Sequence, residues 1–341
     1  MKKVAVIGIG LIGKERLRAI QLLRKRGKEI ELVGIYDPFS KEIEKIAQEY
    51  KTKCCTSLNE LFSINPDWCF VSTPHDVAVN ITSEALKDGF KVLVEKPLGR
   101  TVAEAKKIIN SAKYPAQLWV GFNYRFYEGV QAIINDAHAG RFGELISVTL
   151  ITGYGHNPEI KGSWKLNPAR SGGGCLIDPG VHLIDLARLI SKNNLKVQGG
   201  STWKGFWNNG AEEECHLLLK GEKVIFNIQI STVKWRSTFL LEINGTDGYG
   251  KVSGRSRYYG NQKYIRGKRW GWMETGSQVT AEELVLETDG LDVFVKETEA
   301  LLFPTNGLLI KPCSAEESLL NMQSFEECLK VLKDLRVTNY K

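Results

Sequence analysis

The feature that most constrains the fold is the passage KVAVIGIGLIG at residues 3–13, in which a run of β-branched residues leads directly into glycines. The run predicts a buried strand, and Leu, Ala and Ile at helical spacing up to Arg26 predict a helix after it. Gly8 permits a tight turn, Gly10 allows a pyrophosphate to approach the backbone, and Gly13 allows the helix to pack closely on the strand. The passage therefore predicts a dinucleotide-binding site.

An acidic residue ends the next predicted strand, IELVGIYDP. Asp37 follows the glycines by roughly 20 residues, where a carboxylate accepts hydrogen bonds from the adenosine ribose of a dinucleotide. The alternative is that Asp37 and Pro38 form only a turn. A carboxylate at this place would repel the 2′-phosphate of NADP, and no arginine follows it immediately. We therefore predict NAD, rather than NADP, as the cofactor.

Strands and helices continue to alternate up to residue 121. The stretches WCFVSTP and KVLVEKP predict strands, residues 77–88 predict a helix between them, and AQLWVGFNYR predicts a closing strand. This alternation is typical of a doubly wound parallel sheet, so residues 1–121 are expected to form a Rossmann dinucleotide-binding domain. Pro74 and Pro97 mark the ends of two strands, on the same edge of the sheet as the glycine turn.

Strands dominate from Gly143 onward. They predict a second, α+β domain over residues 122–341 with a large, mostly antiparallel open sheet. A helix near residues 178–191 and a final helix at 314–335 would cover one face of this sheet, and the final helix has the option of packing back on the first domain. The other face is expected to form a homodimer or a homotetramer.

The stretch SGGGCLIDPGVHLIDLARLI has the composition of a catalytic helix. Pro179 suits a first helical turn and Asp178 a cap, which would place Asp178 and His182 one turn apart on one face. Oxidation of a secondary alcohol needs a base near neutral pKa, and His182 is the candidate. The glycines upstream would let this helix approach a cofactor. The alternative is a packed helix histidine and a plain N-cap.

Four stretches resemble, in order and spacing, those of the Gfo/Idh/MocA family of NAD(P)-dependent oxidoreductases, named for glucose–fructose oxidoreductase, inositol dehydrogenase and rhizopine catabolism proteins. They are GIGLIG at 8–13, VSTP at 71–74, EKP at 95–97 and SGGGCLIDPGVHLID at 171–185. The resemblance covers nearly the whole chain. It implies that Lys96 contacts both the nicotinamide ribose and the substrate, with Asp178 and His182 completing the catalytic set.

One position departs from the family pattern. Members often carry a histidine one helical turn after the strand-end proline, whereas this chain has Ala78 there and His75 directly after Pro74. His75 either replaces that histidine from another angle or only begins a helix, and we favour the second interpretation.

The predicted site residues form three groups, and no metal ligand is among them. The cofactor-binding residues are Gly8, Gly10, Leu11, Ile12, Gly13, Asp37, Ser72, Thr73, Pro74, His75, Glu95, Lys96 and Pro97. The catalytic residues are Lys96, Asp178 and His182. The substrate-binding residues are Asn123, Arg125, Trp164, Lys165 and Arg170.

Composition excludes several other classes of protein. A chain of 341 residues with 43% hydrophobic and 25% charged side chains fits a two-domain globular protein. No apolar run is long enough to span a bilayer, and glycines interrupt the apolar start, so we expect neither a membrane segment nor a secretory signal. The 7 cysteines form no C-x-x-C pair, which favours reduced, mostly buried thiols in the cytoplasm.

A basic stretch, RSRYYGNQKYIRGKRWGW at residues 255–272, contains many aromatic side chains and no acid. Nucleic-acid-binding surfaces have this composition. In a chain with a net charge of only +7, however, we expect a solvated hairpin or a subunit contact and no nucleic-acid partner. Together with Lys161, Lys165 and Arg170, the stretch favours an anionic sugar, such as a nucleotide-sugar or a uronate, over a neutral one.

The sequence thus predicts an oxidoreductase that transfers a hydride between NAD and a secondary hydroxyl of a sugar, a sugar derivative or a cyclitol, with His182 as general base. Two other functions would use the same residues. One is a glycoside hydrolase that retains NAD and oxidises the sugar transiently, and the other is a regulator that senses dinucleotides without catalysis. The joint presence of Lys96, Asp178 and His182 favours catalysis.

Overall fold

The computed structural model describes residues 1–192, 194–270, 273, 282–305, 307 and 309–338. The chain forms two compact units. The first comprises Met1–Asn123 and Asp292–Met322, and the second comprises Tyr124–Leu291 and Gln323–Lys341. This division differs from the predicted boundary at residue 121 chiefly because a late segment of the chain belongs to the first unit.

The first unit contains the predicted parallel sheet. Its strands are β1 (Lys2–Ile7), β2 (Ile30–Tyr36), β3 (Lys53–Cys54), β4 (Trp68–Val71), β5 (Lys91–Glu95), β6 (Leu118–Gly121) and β15 (Cys313–Ser314). Their order is β15-β6-β5-β4-β1-β2-β3, and all neighbours are parallel except β15, which pairs antiparallel with β6. The strands β3 and β15 were not predicted, because two residues are too few to show a periodicity.

Helices cover this parallel sheet. They are α1 (Leu11–Lys25), α2 (Ile43–Tyr50), α3 (Leu58–Ser63), α4 (His75–Asp88), α5 (Val102–Ile109) and α9 (Val293–Leu302). Val4 to Ile7 of β1 are at most 1% exposed, as expected of a parallel strand covered on both faces. Leu17 of α1 and Val295 of α9 lie in one core cluster, so the late segment completes the core of the first unit.

The second unit is built on an eight-stranded sheet of order β14-β13-β12-β11-β7-β10-β9-β8. The strands are β7 (Leu145–Gly155), β8 (Lys196–Trp203), β9 (Glu214–Lys220), β10 (Ile225–Ser231), β11 (Val233–Gly245), β12 (Gly248–Ser253), β13 (Gln262–Lys268) and β14 (Glu282–Thr288). All pairs are antiparallel except β7 with β10, which confirms the predicted mostly antiparallel sheet.

Helices cover one face of this sheet. The helices of the unit are α6 (Glu128–His138), α7 (Pro168–Ser171), α8 (Gly180–Ser191) and most of α10 (Ala315–Thr338), whose first residues belong to the first unit. α6 packs on β11 to β14 and α8 on β7 and β10. Side chains of β9 are alternately buried and exposed, which is the pattern of a sheet with one covered face. Among the described helices, none has both the length and the hydropathy needed to cross a bilayer.

The basic stretch at 255–272, predicted to be a solvated hairpin or a subunit contact, supplies the connection and the second strand of an antiparallel hairpin with β12. Its residues 262–268 form β13, which pairs with β12 on one side and β14 on the other. Gln262 and Tyr264 are fully buried, so aromatic and amide side chains in this stretch serve the core. Gly271 and Trp272 lie outside the described residues.

Candidate functional site

The three glycines of the turn between β1 and α1 differ in what an added Cβ would contact. Gly8 has a φ of +87°, and a Cβ there would lie 2.7 Å from the carbonyl oxygen of Ser72. A Cβ on Gly13 would lie 1.9 Å from the Gly8 carbonyl oxygen. A Cβ on Gly10, by contrast, would meet no protein atom within 4 Å, so protein packing does not explain that glycine. Leu11 begins α1 and is largely exposed, and Ile12 follows it.

The carboxylate of Asp37 lies at this turn. One oxygen accepts a hydrogen bond from the Ile9 backbone N–H at 2.7 Å, and the other accepts one from the Phe39 N–H at 2.9 Å. Asp37 therefore ties the end of β2 to the glycine turn. Each carboxylate oxygen has a second lone pair with which it can accept a ribose hydroxyl.

The end of β4 lies against the same turn. The Ser72 backbone N–H donates to the Ile7 carbonyl oxygen at 2.8 Å, and the Thr73 methyl would touch a Cβ on Gly8. Pro74 is the N-cap residue of α4, and His75 is its buried first residue. These predicted residues are brought together with the glycine turn in the first unit.

The end of β5 is held by a buried arginine that the sequence analysis did not single out. Arg16 of α1 is fully buried and donates to a Glu95 carboxylate oxygen from Nε at 2.8 Å and from a terminal nitrogen at 2.6 Å. Its other terminal nitrogen lies 2.7 Å from a Glu297 carboxylate oxygen on α9. The structure thus engages the Glu95 side chain in an ion pair, whereas the sequence predicted a cofactor contact. Lys96 and Pro97 follow directly, and Lys96 is half-buried.

In the second unit, His182 stacks on an aromatic ring. Its imidazole lies over the Tyr124 ring with centroids 3.8 Å apart and planes 5° apart. Both side chains are 4% exposed. The Arg255 guanidinium lies 4.5 Å from the Tyr124 centroid and 4.0 Å from that of Tyr259. The imidazole therefore has a fixed orientation.

The sequence predicted that Asp178 caps α8, but in the structure it does not. The helix begins at Gly180 with Pro179 as N-cap and without a side-chain cap, so Asp178 lies outside the helix. Its carboxylate instead accepts a hydrogen bond from the Lys165 ammonium at 3.1 Å. Two residues predicted for different roles, one catalytic and one substrate-binding, thus form an ion pair.

A small pocket adjoins this ion pair. Its lining includes His156, Lys165, Asp178 and Trp207. Burial and the Lys165 charge lower the pKa of His156 to about 4, so its imidazole is neutral near pH 7. Glu213 also lines the pocket and accepts hydrogen bonds from three consecutive backbone N–H groups of the loop that carries Trp207.

The glycine run before α8 has a local cause. A Cβ on Gly174 would lie 1.9 Å from the Glu212 carbonyl oxygen, and a Glu212 carboxylate oxygen accepts from the N–H groups of Gly174 and Leu176. Gly172 and Gly173 have positive φ angles of 90° and 155°. Packing against Glu212 in the same unit thus explains Gly174, where the sequence analysis proposed approach to a cofactor.

The remaining predicted substrate residues have mixed placements. Arg125 is 2% exposed and forms a buried, two-pronged ion pair with Asp185, so its charge is already neutralised. Its role as a substrate ligand stays a prediction. Asn123 is buried in a short 3-10 helix, whereas Trp164 and Arg170 are partly exposed.

Two cations of the basic stretch lie in ion pairs. Arg266 pairs with Asp136 and Glu283, and Lys263 pairs with Glu287. Acidic residues from other elements therefore offset part of the charge that the sequence alone leaves unpaired, and the anionic substrate stays a prediction.

Comparison with known proteins decides the family. The profile of the Gfo/Idh/MocA oxidoreductase family, NAD-binding Rossmann fold, matches residues 2–122, and that of the family's C-terminal domain matches residues 130–250. The chain belongs to the Gfo/Idh/MocA family. Its first unit is therefore an NAD-binding Rossmann domain, and the predicted resemblance is confirmed.

Named relatives lie within this oxidoreductase family. The rhizopine catabolism protein MocA of Rhizobium meliloti is 26% identical over 195 residues, which are 55% of this chain and 57% of that protein. Glucose-6-phosphate 3-dehydrogenase of Bacillus subtilis is 26% identical over 191 residues, which are 54% of this chain and 53% of that protein. The chain thus spans about half the length of the curated relatives it matches.

Solved structures share the fold of both units. The 3-ketoreductase KijD10 from Actinomadura kijaniata, in complex with NADP and TDP-benzene, has a TM-score of 0.78 at 17% identity, covering 97% of each chain. A levoglucosan dehydrogenase in complex with NADH has a TM-score of 0.80 at 16% identity, covering 98% of this chain and 97% of that one. At such low identity the likeness concerns the fold.

Four residues of this Gfo/Idh/MocA protein were missed by sequence reasoning, namely Arg16, Tyr124, Arg255 and Glu297. Arg16 lies on the inward face of α1 beside Leu17 and Ile20, and a charge at an apolar position is a signal that was available. Tyr124 and Arg255 are far apart in sequence, so no local pattern connects them.

Proposed function

We propose that the protein is an NAD-dependent oxidoreductase that transfers a hydride between the nicotinamide and a secondary hydroxyl of a sugar, a sugar derivative or a cyclitol. His182 is the general base, and Lys96 and Asp178 assist it. The observation that carries the proposal is the buried, stacked imidazole of His182, which lies within a motif that resembles one of the Gfo/Idh/MocA family.

The residues of the first unit fit a dinucleotide. The space beside Gly10 that a Cβ would occupy contains no protein atom, and a pyrophosphate needs such an approach to the backbone. Asp37 would accept hydrogen bonds from the adenosine ribose hydroxyls. Its charge would repel a 2′-phosphate, which supports NAD over NADP in this chain. When bound, the cofactor supplies the hydride acceptor.

The chain's own residues would manage the proton and the charge. As hydride leaves the substrate carbon, the hydroxyl proton passes to a nitrogen of the His182 imidazole. The Lys96 ammonium would stabilise the negative charge that develops on the substrate oxygen. Asp178, held by Lys165, would orient a neighbouring hydroxyl.

The substrate class follows from the charges beside Asp178. Lys165 is neutralised by Asp178, His156 is neutral near pH 7, and two glutamates line the same pocket. These groups favour an uncharged hydroxyl at this pocket. An anionic sugar, which the sequence favoured, would need a charge partner elsewhere. A screen of cyclitols, sugars, uronates and nucleotide-sugars for NADH formation would identify the substrate.

Two variants test the mechanism. Lys96→Ala should lower single-turnover NADH formation by a factor that corresponds to roughly 3 to 5 kcal/mol, because a donor to the developing charge is lost. His182→Ala should also lose hydride transfer and recover some activity at high pH, where hydroxide replaces the base. Both should retain NAD affinity, because the glycine turn and Asp37 remain. Lys106→Ala, on the exposed face of α5, is the matched control.

The same measurements distinguish the alternatives. A glycoside hydrolase that retains NAD would release product without net NADH. A dinucleotide-sensing regulator would bind NAD and turn over none of the compounds, and Lys96→Ala would then change nothing measurable. Near-normal turnover in either variant would remove that residue from the mechanism.

A further inference from the structure

Tyr124 is held on both faces of its ring. The His182 imidazole and the Arg255 guanidinium both lie over it, at 3.8 Å and 4.5 Å from its centroid. Groups this close to one centroid cannot share a face, so they must occupy opposite faces. Tyr127 and Phe239 meet the ring edge-on, at 5.7 Å and 5.8 Å between centroids. Neighbouring side chains therefore pack on both faces and on the edges of this ring.

Arg255 is held by aromatic rings. Its guanidinium lies 4.0 Å from the Tyr259 centroid and 5.9 Å from that of Tyr127. Within the described part of the chain, no carboxylate lies at ion-pair distance from Arg255. Arg16 and Arg125, which are buried, and Arg266, which is partly exposed, all have carboxylate partners, so the half-buried Arg255 differs from them.

The backbone around Arg255 is fixed as well. Gly254, with a φ of +73°, donates its N–H to the Phe239 carbonyl oxygen at 3.1 Å, and a Cβ on it would lie 2.0 Å from the Asn261 carbonyl oxygen. The Arg255 N–H donates to the Gly260 carbonyl oxygen at 3.2 Å. This turn carries both Arg255 and Tyr259, so the cation and its second ring are presented together.

We propose that Arg255 is a positioning residue of the site, which holds the Tyr124 ring in the tilt that stacks on His182. A cation between two tyrosine faces gains cation–π attraction on both sides, which offsets the cost of burying its charge. Without the guanidinium, one face of Tyr124 would lose its neighbour and the ring would tip toward the gap. The His182 imidazole would then lose the flat surface that fixes its orientation.

The consequence for catalysis rests on the proposed function of His182, but the contact itself can be tested without substrate. The protein has 5 histidines, and carbon-13 labelling resolves their ring C–H signals in NMR. The His182 signal, identified by its loss in His182→Gln, should lie upfield because Tyr124 shields it. Tyr124→Leu should move it downfield, and Arg255→Met should move it in the same direction. Arg255→Lys, which keeps a cation, should move it less.

Kinetic measurements then test whether Arg255 acts on hydride transfer through Tyr124 and His182. With the substrate found by the screen, Arg255→Met should lower hydride transfer by about tenfold to a hundredfold, as expected for misplacement of a catalytic group, while NAD affinity is retained. In a Tyr124→Leu or a His182→Ala background the same substitution should cost little more, because Arg255 acts through those residues. Arg236→Met, an exposed arginine of the same unit, is the control.

The outcomes separate the two proposals. A His182 signal that stays in place in Arg255→Met would overturn the positioning role, whatever the kinetics show. A signal that moves while His182→Ala retains full turnover would preserve the contact and reject His182 as the base. If the signal stays and turnover falls only for acidic substrates, Arg255 binds a substrate anion and the inference is wrong.

Discussion

At the scale of single residues, Asp37 carries the cofactor prediction. Asp37→Asn keeps an oxygen that accepts from the Ile9 N–H but removes the charge that would repel a 2′-phosphate. We expect the variant to bind NAD more weakly and NADP more tightly than the unaltered protein does. Titration of both cofactors against both proteins measures this, and tighter binding of NADP by the unaltered protein would refute the ribose assignment.

His156 gives a pH dependence of stability. Its pKa is lowered, chiefly by burial, from 6.5 to about 4, so below pH 6.5 the unfolded chain binds more protons than the folded one. The contribution of neutral His156 to the free energy of unfolding is therefore fully present above pH 6.5 and is lost as the pH drops toward 4. Because the side chain is partly exposed, we expect a loss of only about 1 kcal/mol between pH 7 and pH 5.

Urea unfolding at both pH values measures this loss. His156→Gln should lose about 1 kcal/mol less than the unaltered protein over the same interval, since glutamine does not titrate. His216→Gln, in which the replaced histidine is exposed on β9, is the matched control. Equal pH dependence in the unaltered protein and His156→Gln would contradict the prediction.

At the scale of elements, the buried charges of Arg16, Glu95 and Glu297 connect α1, β5 and α9. Arg16→Met would leave the buried Glu297 carboxylate and the largely buried Glu95 carboxylate without their cation, and we expect it to lower the free energy of unfolding by about 3–5 kcal/mol. Urea unfolding measures the change. Glu299→Gln, which breaks the half-exposed pair with Lys28 near the end of α9, should cost less than about 1 kcal/mol. Equal effects of the two substitutions would refute the special role of Arg16.

The elements also show what the sequence could predict. The first strand, glycine turn and helix were predictable because their signals are local: a β-branched run, glycines at fixed spacing and a helical period. The strand β13 was not predictable, because its basic side chains indicate a solvated segment unless Asp136 and Glu283 are known to face Arg266. Likewise, the pairing of Asp178 with Lys165 and the stack on Tyr124 depend on tertiary packing, which no local period reports.

At the scale of the whole molecule, we predict an oligomer through the uncovered face of the eight-stranded sheet. Leu218 of β9 and Ile225 of β10 are 40% and 45% exposed there, a large apolar exposure for strand residues. Leu218→Lys with Ile225→Lys should shift the mass found by light scattering toward the monomer, whereas Leu309→Lys, at an exposed leucine of the first unit, should not. A monomeric unaltered protein would refute the prediction.

The return of residues 292–322 to the first unit affects how the protein is made. A ribosome releases β1 to β6 first, then the eight strands of the second sheet, and only afterwards α9 and β15. Until that point Arg16 lacks Glu297, and β6 lacks its outer neighbour. The nucleotide-binding unit therefore starts to emerge before the second sheet but is completed only after that sheet has emerged, so the nascent chain must hold it incomplete in the meantime.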